Sequence, residues 1–191
     1  MKILTDFQTK SGRKIEVIAP SHKHLFALVE FVNRLIQEDT FLTLTGRLKT
    51  YGEERHWLEQ TLKNIDLGKT FLIWAIFENK IVGQADIERG KAGVRDWHVG
   101  KIGLMVDQDF RRDGIGEFLL KFILNQAKQM KIKIAILDIF SDNKAGISLY
   151  EKLGFNEYGR LPKGLLRKGR YSDDIEMYLE ISSLAKATRD K

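Results

Sequence analysis

The stretch RRDGIGEFLLKFILNQAKQMKIKIAILDIF, from Arg111 to Phe140, decides the fold. Its apolar residues recur at helical spacing from 114 to 130, and a mostly apolar strand pattern follows at once from 133 to 140. Another strand is predicted just before this stretch, from 98 to 106. A strand, a helix and a strand with short connections form a βαβ crossover, so we expect these two strands to lie parallel in one sheet.

Further elements are predicted on both sides of this central crossover. Amphipathic spacing predicts a helix that starts after Ser21, and a capping box of Thr50 and Glu53 predicts the start of a second helix. The fold class is therefore α/β of the mixed α+β kind, with a mixed sheet of about seven strands flanked by about four helices. The fourth helix is expected at 143–153, and the remaining strands at 14–19, 71–77, 81–88, 156–160 and 172–180.

The length of the chain bears on the number of domains. At 191 residues the chain is expected to form a single domain over 1–191, because domains have roughly 150 residues. The core of this domain is expected to span about 13–181, followed by a polar tail over 182–191. With 43% hydrophobic residues, the core is large enough to fold without disulfides or metals.

The composition excludes several kinds of site. The chain has no cysteine, which excludes disulfides, thiolate metal sites and cysteine nucleophiles, and its four histidines leave little for a metal site. We therefore expect no metal. The longest apolar run, Phe71 to Phe77, is too short to cross a bilayer, and the first ten residues lack the apolar region of a signal peptide. These features predict a soluble cytoplasmic protein with no membrane partner.

The charge of the chain bears on its partners. The net charge is +6, and part of the basic excess lies between 160 and 170, where five lysines and arginines follow Glu157. A basic surface suits a polyanion such as nucleic acid. Because no aromatic platform is interleaved with these cations, we expect a solvated loop here and argue against a nucleic-acid partner.

The loop RRDGIG, residues 111–116, has the chemistry of an anion site. It precedes a helix, whose first amides lack intrahelical acceptors and carry partial positive charge. Gly114 and Gly116 leave room for a ligand, and Arg111 and Arg112 add permanent positive charge. Together these features suit a pyrophosphate. The loop matches neither the dinucleotide nor the P-loop fingerprint, and the alternative is a glycine-rich turn that merely starts a helix.

The wider arrangement around the loop resembles a known family. The order of a strand, RRDGIG (111–116), an amphipathic helix, a strand and NKAGISLYEKLGF (143–155) resembles the GNAT superfamily of acetyl-CoA-dependent N-acetyltransferases. The resemblance covers about residues 101–155. It implies a GNAT-like (acyl-CoA N-acyltransferase) fold and an enzyme, an acyltransferase, with acetyl-CoA as co-substrate. It further implies direct attack of a primary amine on the thioester through a tetrahedral intermediate.

The resemblance also implies roles in binding acetyl-CoA. The loop is expected to hold the pyrophosphate through backbone amides, and the preceding strand to bond the pantetheine arm and polarise the thioester carbonyl. Asn143 matches a residue that bonds the cofactor arm. Arg112 is a departure, because many members have glycine there. The expected cofactor-binding residues are Leu104, Met105, Val106, Arg111, Arg112, Asp113, Gly114, Ile115, Gly116 and Asn143.

Two residues are expected to be catalytic. Tyr150 matches the tyrosine often proposed in GNAT enzymes to protonate the departing thiolate. Asp138 stands at the spacing where enzymes that acetylate the amino-terminal alanine of ribosomal proteins carry a glutamate assigned as the base. Each has a structural alternative, since Tyr150 would also pack on its helix and Asp138 would also face solvent. Glu88 and His98 are rival bases, and the choice among the three is open.

The acceptor is expected to be an amine, either the α-amine of a protein or peptide or a small amine. An α-amine has a pKa of ~8 and a lysine amine a pKa of ~10.4, so the α-amine is easier to deprotonate at neutral pH. The alternatives in function are a catalytically silent CoA-binding regulatory or sensor domain and a nucleic-acid binder. The intact cofactor loop and Tyr150 argue against the nucleic-acid binder. The acyl-chain preference is open, and so is the oligomeric state, with a homodimer as one candidate.

Overall fold

The computed structural model describes residues 3–39, 41–42, 46–90 and 93–181, so the predicted polar tail at 182–191 lies outside the described residues. The described residues form eight strands and four α-helices. The strands are β1 (Ile3–Gln8), β2 (Lys14–Ile18), β3 (Thr70–Phe77), β4 (Lys80–Arg89), β5 (Val99–Val106), β6 (Ile134–Phe140), β7 (Asn156–Arg167) and β8 (Arg170–Glu180). The helices are α1 (Leu25–Glu38), α2 (Tyr51–Asp66), α3 (Ile115–Gln129) and α4 (Lys144–Lys152). None of these described helices is both long and apolar enough to cross a membrane.

The chain divides into two compact units. The first comprises residues 1–88 and 103–123, and the second comprises residues 89–102 and 124–191. β1 to β3, α1 and α2 belong wholly to the first unit, whereas β6 to β8 and α4 belong wholly to the second. β4, β5 and α3 contribute residues to both.

In the first unit, β1 to β4 form antiparallel pairs in chain order. Trp74 on β3 lies opposite Gln84 on β4, so their side chains share one face of the sheet. α1 and α2 pack on this face, and a cluster of buried side chains joins them to the strands. Its members include Leu28, Phe31 and Leu58, together with Trp74, all fully buried. Burying each such side chain stabilises the fold by about 1.5–3 kcal/mol.

β4 is also covered on its other face. Gly83 allows α3 to approach, since a Cβ there would lie 3.1 Å from Cδ1 of Leu119 and 3.3 Å from Cγ2 of Ile115. With helices on both faces, β4 is mostly buried, and even the polar Gln84 is only 3% exposed. The alternation of polar residues along this strand therefore does not mark a solvent-facing side.

The starts of the first two helices differ in how well the sequence predicts them. For α2 the capping box is confirmed, because Glu53 N donates to Thr50 Oγ1 (3.3 Å) and Thr50 N donates to Glu53 Oε2 (3.0 Å). Ser21 instead precedes a short 3₁₀ turn, His22–His24, and makes no capping bond. Its hydroxyl lies 3.0 Å from Nδ1 of His24 and is occupied by that contact.

In the second unit the strands are paired in the order β5, β6, β8, β7. β5 and β6 are parallel over residues 99–101 and 134–136, as expected for the predicted crossover. β8 is antiparallel to both β6 and β7. α4 has Asn143 as its N-cap, and Gly154 after it has φ 93°, the left-handed conformation typical of a helix end.

The strand count differs from the prediction of about seven, because β1 precedes the expected core boundary at residue 13. β1 contains no fully buried residue, so its apolar alternation is weak. Phe7 nevertheless stacks on Phe118, with ring centroids 3.9 Å apart. β1 is therefore an additional strand, and the predicted core bounds of about 13–181 stay a prediction.

The basic segment 160–170 is a second difference. The sequence predicts a solvated loop, whereas β7 continues to Arg167 and β8 begins at Arg170. Nη2 of Arg160 lies 2.8 Å from Oε2 of Glu157, and Nη1 of Arg160 lies 3.1 Å from Oδ2 of Asp173. Part of the local positive charge is thus paired within the hairpin.

Candidate functional site

The expected pyrophosphate loop, residues 111–116, leads directly into α3. The first hydrogen bond of the helix runs from Phe118 N to Gly114 O (3.0 Å), so the amides of Ile115 and Gly116 have no acceptor within the helix. Gly114 has φ 93°, and a Cβ on it would meet nothing within 4 Å. Amides and helix dipole together favour an anion here.

Arg112 has a left-handed backbone, with φ 60°. A residue with a Cβ adopts this conformation at a cost of about 1–2 kcal/mol, whereas glycine adopts it freely. This explains physically why a glycine is expected at this position from the resemblance. Arg112 adopts the left-handed conformation of the loop in spite of its Cβ, and this adds backbone strain.

Asp113 ties the loop to the turn between β1 and β2. Its carboxylate accepts hydrogen bonds from the hydroxyl (2.6 Å) and the amide (2.7 Å) of Ser11, and its carbonyl accepts from Lys10 N (3.1 Å). The bond from the Ser11 hydroxyl is the main reason why the pKa of Asp113 lies below its ordinary value. The Asp113 side chain therefore anchors the loop, and contact of its backbone with a cofactor stays a prediction.

Two arginines anchor the segment before the loop to α1. Nε of Arg34 donates to Oδ2 of Asp107 (2.8 Å). The guanidinium of Arg111 forms two hydrogen bonds to the carboxylate of Glu38, one of them 2.8 Å long, and Nε donates to the carbonyl of Val106 (2.9 Å). The shape of the loop is thus preset by side chains that reach it from α1 and from the β1–β2 turn.

Leu104, Met105 and Val106 are the last three residues of β5 and are half-buried. Met105 packs against the cluster formed by α1, α2 and β3. Asp107 follows at once, and its amide donates to the carbonyl of Val82 (3.0 Å). The first unit therefore brings together the strand segment and the loop that are expected to bind acetyl-CoA.

Asn143 and Tyr150 lie in the second unit, at the start and near the end of α4. Oδ1 of Asn143 accepts from Gly146 N (3.0 Å), so a bond to a cofactor arm would use its Nδ2. Tyr150 is buried, and its ring meets Phe155 edge-on, with centroids 5.6 Å apart. The packing contact of Tyr150 is present, and its role as an acid stays a prediction.

Asp138 is exposed on β6 and forms an ion pair with Lys101 on β5. Glu176 lies directly opposite it on β8. Desolvation first, and then the charges of Asp138 and Glu176, raise the pKa of Asp174 on the same hairpin. Negative charge is thus concentrated on this side of the second unit. To act as a base, Asp138 would have to leave Lys101.

The rival bases lie in different places. Glu88 is exposed near the end of β4 in the first unit, and His98 is half-buried just before β5 in the second. The carbonyl of His98 accepts from Lys133 N (2.7 Å), which gives this residue a part in aligning β5 with β6. Each stays a prediction as a base.

Asp86, on β4 in the first unit, is a candidate that sequence reasoning misses. Nε1 of Trp74 donates to Oε1 of Gln84 (2.9 Å), and Nε2 of Gln84 donates to Oδ1 of Asp86 (3.4 Å). Burial raises the pKa of Asp86 to about 6, while Gln84 lowers it and Glu88 raises it. The signal in the sequence is two polar residues opposite the apolar Trp74 and Leu72, which shows only once the strand register is known.

The donors at the start of α3 fit a diphosphate. They are backbone amides at a helix amino terminus. Gly114, with open space around it, and the exposed Arg112 lie beside them. Within the part of the chain that the structure describes, no three or more histidine, aspartate or glutamate side chains are grouped to hold a metal ion. The amides and the arginine at the start of α3 fit the phosphates of acetyl-CoA, and their contact with it stays a prediction.

The chain is similar in sequence to known acetyltransferases. The model of the acetyltransferase (GNAT) family matches residues 30–155. A segment of 54 residues is 37% identical to the ribosomal protein bS18-alanine N-acetyltransferase of Escherichia coli, and covers 28% of this chain and 36% of that protein. The matched segment thus spans about a third of the curated relative.

Solved structures share the fold. The acetyltransferase of the GNAT family from Streptococcus pneumoniae superposes with a TM-score of 0.77 at 24% identity, covering 87% of this chain and 98% of that one. A putative acetyltransferase from Salmonella typhimurium, solved with its cofactor acetyl-CoA, gives a TM-score of 0.75 at 18% identity, over 87% and 94% of the two chains. The predicted fold class is confirmed. Because the family model covers about two thirds of the sequence, the chain belongs to the acetyltransferase (GNAT) family, whose members use acetyl-CoA.

Proposed function

We propose that this protein transfers the acetyl group of acetyl-CoA to a primary amine. The observation that carries the proposal is the open amino terminus of α3, where the amides of Ile115 and Gly116 follow a loop anchored by Arg111 and Asp113. Amides fixed in this way bind phosphate oxygens without reorganisation. Membership of the acetyltransferase family is the second support.

Acetyl-CoA supplies a thioester carbonyl that the amine attacks and a thiolate that leaves. We propose that the amides of residues 111–116 bind its pyrophosphate and that the backbone of Leu104–Val106 binds the pantetheine arm. Asn143 would bond the arm through Nδ2, and Tyr150 would protonate the sulfur. Asp138 is a candidate base only if the amine displaces Lys101 from its carboxylate.

The acceptor we propose is the α-amine of a peptide or protein, or a small amine. At pH 7, deprotonation costs about 1.4 kcal/mol for an α-amine of pKa ~8 and about 4.6 kcal/mol for a lysine of pKa ~10.4. The name of the Escherichia coli relative, an alanine N-acetyltransferase, supports an α-amine. An α-amine is therefore the first acceptor to test.

Binding of acetyl-CoA is tested by calorimetry on Gly116→Glu. Gly116 is the second residue of α3, and a glutamate there would crowd and repel the pyrophosphate. Gly52 is the second residue of α2 and has open space around it, so Gly52→Glu is a matched control. We expect Gly116→Glu to lose binding and Gly52→Glu to keep it. Unchanged affinity in Gly116→Glu would overturn the assignment of the loop.

Transfer is tested by the release of free thiol from acetyl-CoA. The chain has no cysteine, so a thiol reagent reads only the CoA product. The acceptors are a peptide with a free amino-terminal alanine, an amino-terminally blocked peptide with one lysine, and a free amino acid. We expect release with at least one α-amine. Tight binding of acetyl-CoA without release to any acceptor would support a CoA-binding sensor instead.

A further inference from the structure

We propose that Asp86, on β4, is the base that accepts a proton from the attacking amine. The proposal rests on the proposed acetyl transfer and supplies the group that this transfer leaves open. It is carried by observations within the first unit: Asp86 accepts a hydrogen bond from Gln84, which in turn accepts one from Trp74, and the backbone of Gly103 lies close to the carboxylate.

The position of Asp86 is defined by its neighbours on the two adjoining strands. Leu72 on β3 is its cross-strand partner, and on β5 a Cβ at Gly103 would lie 2.7 Å from Oδ1 of Asp86. Gly103 immediately precedes Leu104–Val106, the segment proposed to bind the pantetheine arm. The carboxylate therefore lies beside the strand along which the acyl donor would bind.

The carboxylate is oriented by two hydrogen bonds in series. An indole N–H only donates, so Trp74 requires Gln84 to present its oxygen, 2.9 Å away. The amide nitrogen of Gln84 then faces Oδ1 of Asp86 at 3.4 Å. Trp74 and Gln84 are 0% and 3% exposed, so packing holds this arrangement. Oδ2 is the oxygen that we assign to the amine proton.

The surroundings make this carboxylate more basic than an ordinary aspartate. Burial raises the pKa of Asp86 to about 6, the donor Gln84 lowers it, and the charge of Glu88 raises it. Its neighbours on β3 and β5 do not titrate. α2 packs on the same face of the sheet and carries the buried Glu54, whose pKa is also raised by desolvation. At neutral pH Asp86 is mostly ionised and can take up a proton.

The rival carboxylates have less suitable surroundings. Asp138 is bound to Lys101, so an amine would compete with a cation already in place. Glu88 is exposed, where water screens its interaction with an ammonium group. Asp86 is half-buried and has no cationic partner among the described residues. It is therefore the carboxylate of the three that is best suited to attract an ammonium group.

The proton balance of the proposed step is complete. The ammonium form of the acceptor gives one proton to Asp86, directly or through one water, and becomes a neutral amine. The nitrogen lone pair then forms the N–C bond, and the C–S bond breaks with its electron pair going to sulfur. Tyr150 is proposed to give its proton to the sulfur, and the second proton lost by the nitrogen returns to Tyr150 through solvent, which restores the phenol. Asp86 finally releases its proton to solvent.

The test compares the pH profile of kcat/KM for wild type, Asp86→Asn, Asp138→Asn and Glu88→Gln. Wild type is expected to lose activity below a pH of about 6, where Asp86 becomes protonated. Asp86→Asn should lower kcat/KM by roughly 10²–10⁴-fold. It should also remove the loss of activity at low pH, which is the acidic limb of the pH profile. Its affinity for acetyl-CoA should stay unchanged by calorimetry, which shows that the variant is folded. Asp6 on β1 forms an exposed ion pair with Lys14 on β2, so Asp6→Asn is the matched control and should behave as wild type.

A second variant tests the same idea without removing the carboxylate. Gln84→Met keeps the side-chain volume but removes the hydrogen bond that stabilises the charged form of Asp86. The acidic limb should therefore move to higher pH. A purely structural role of Asp86 would lower activity at every pH and leave the limb where it is.

The outcomes separate this proposal from the proposed function. If wild type releases no thiol with any amine, the proposed transfer fails, and the base fails with it. If wild type is active and Asp86→Asn keeps both its rate and its acidic limb, only the assignment of Asp86 is overturned. Loss of the limb in Asp138→Asn or Glu88→Gln instead would assign the base to that residue.

Discussion

Gly103 on β5 stands so close to Asp86 on β4 that a Cβ on the glycine would lie 2.7 Å from Oδ1 of the carboxylate. Real Cβ atoms essentially never approach an atom so closely, so any larger residue at 103 must push the carboxylate aside. The obstructing atom is the end of a flexible side chain, and the backbone of both strands can stay in place. The absence of a side chain at Gly103 is thus what allows the carboxylate its position.

Gly103→Ala should therefore lower kcat by roughly 10²-fold, because displacement of a reacting group by about 1 Å costs that much. The affinity for acetyl-CoA should change little. A double-mutant cycle makes the test specific, since Gly103→Ala should have no further effect in the Asp86→Asn background. Additive effects of the two changes would mean that the glycine acts independently of the carboxylate.

Asp86→Asn should stabilise the protein at pH 7.5. The pKa of Asp86 is raised from 3.8 to about 6, and each unit is worth about 1.4 kcal/mol, so ionisation costs the folded state about 3 kcal/mol. This cost is absent below the unfolded value near pH 3.8 and complete above about pH 6. Denaturant melts of Asp86→Asn and wild type at pH 7.5 and pH 4 should show a higher free energy of unfolding for the variant at pH 7.5, and a smaller difference at pH 4. An equal gain at both would contradict the assigned ionisation.

The crossover and the two capped helices could be predicted from the sequence because their signals are local. Gly154 after α4 and the Thr50–Glu53 box before α2 are each decided by neighbours within a few residues. β1 could not be predicted in the same way, since the strand has no buried residue and its clearest contact, Phe7 with Phe118, joins residues far apart in the chain.

The candidate site likewise has parts that local sequence signals predict and parts that depend on contacts between residues far apart in the chain. The loop at 111–116 shows in the sequence as two arginines followed by two closely spaced glycines, whereas its anchors, Ser11 and Glu38, lie far away in the chain. Asp86 reads as the polar side of an alternating strand. Its burial follows from the helices on both faces of β4, and the contribution of Gly103 requires knowledge of which strands are neighbours.

Gly114→Ala and Arg112→Gly should change stability in opposite directions. Gly114 has φ 93° and open space around it, so an alanine there costs backbone strain of about 1–2 kcal/mol without a clash. Arg112 already bears such strain at φ 60°, and glycine relieves it, less about 0.5–1 kcal/mol for the greater freedom of the unfolded chain. Thermal melts check both. A loss of stability in Arg112→Gly would indicate that the arginine side chain stabilises the loop.

Tyr150→Phe should reduce kcat by roughly 10²–10⁴-fold if the phenol is the acid, while the affinity for acetyl-CoA is kept. The phenylalanine retains the ring that packs edge-on against Phe155, so the fold should be preserved. Tyr171→Phe is a matched control on β8, where the tyrosine is exposed. Single-turnover rates separate the chemical step from product release. A rate equal to that of wild type would remove Tyr150 from the mechanism.

The buried indole of Trp74 also provides an intrinsic fluorescent probe of the charge on Asp86. Because its N–H is linked through one amide to Asp86, a change of charge on that carboxyl alters the electric field at the ring and shifts its fluorescence. The other two tryptophans, Trp57 and Trp97, are 37% and 43% exposed and emit further to the red. The blue edge of the emission spectrum therefore offers a direct optical titration of the carboxyl, free of any acceptor or thioester.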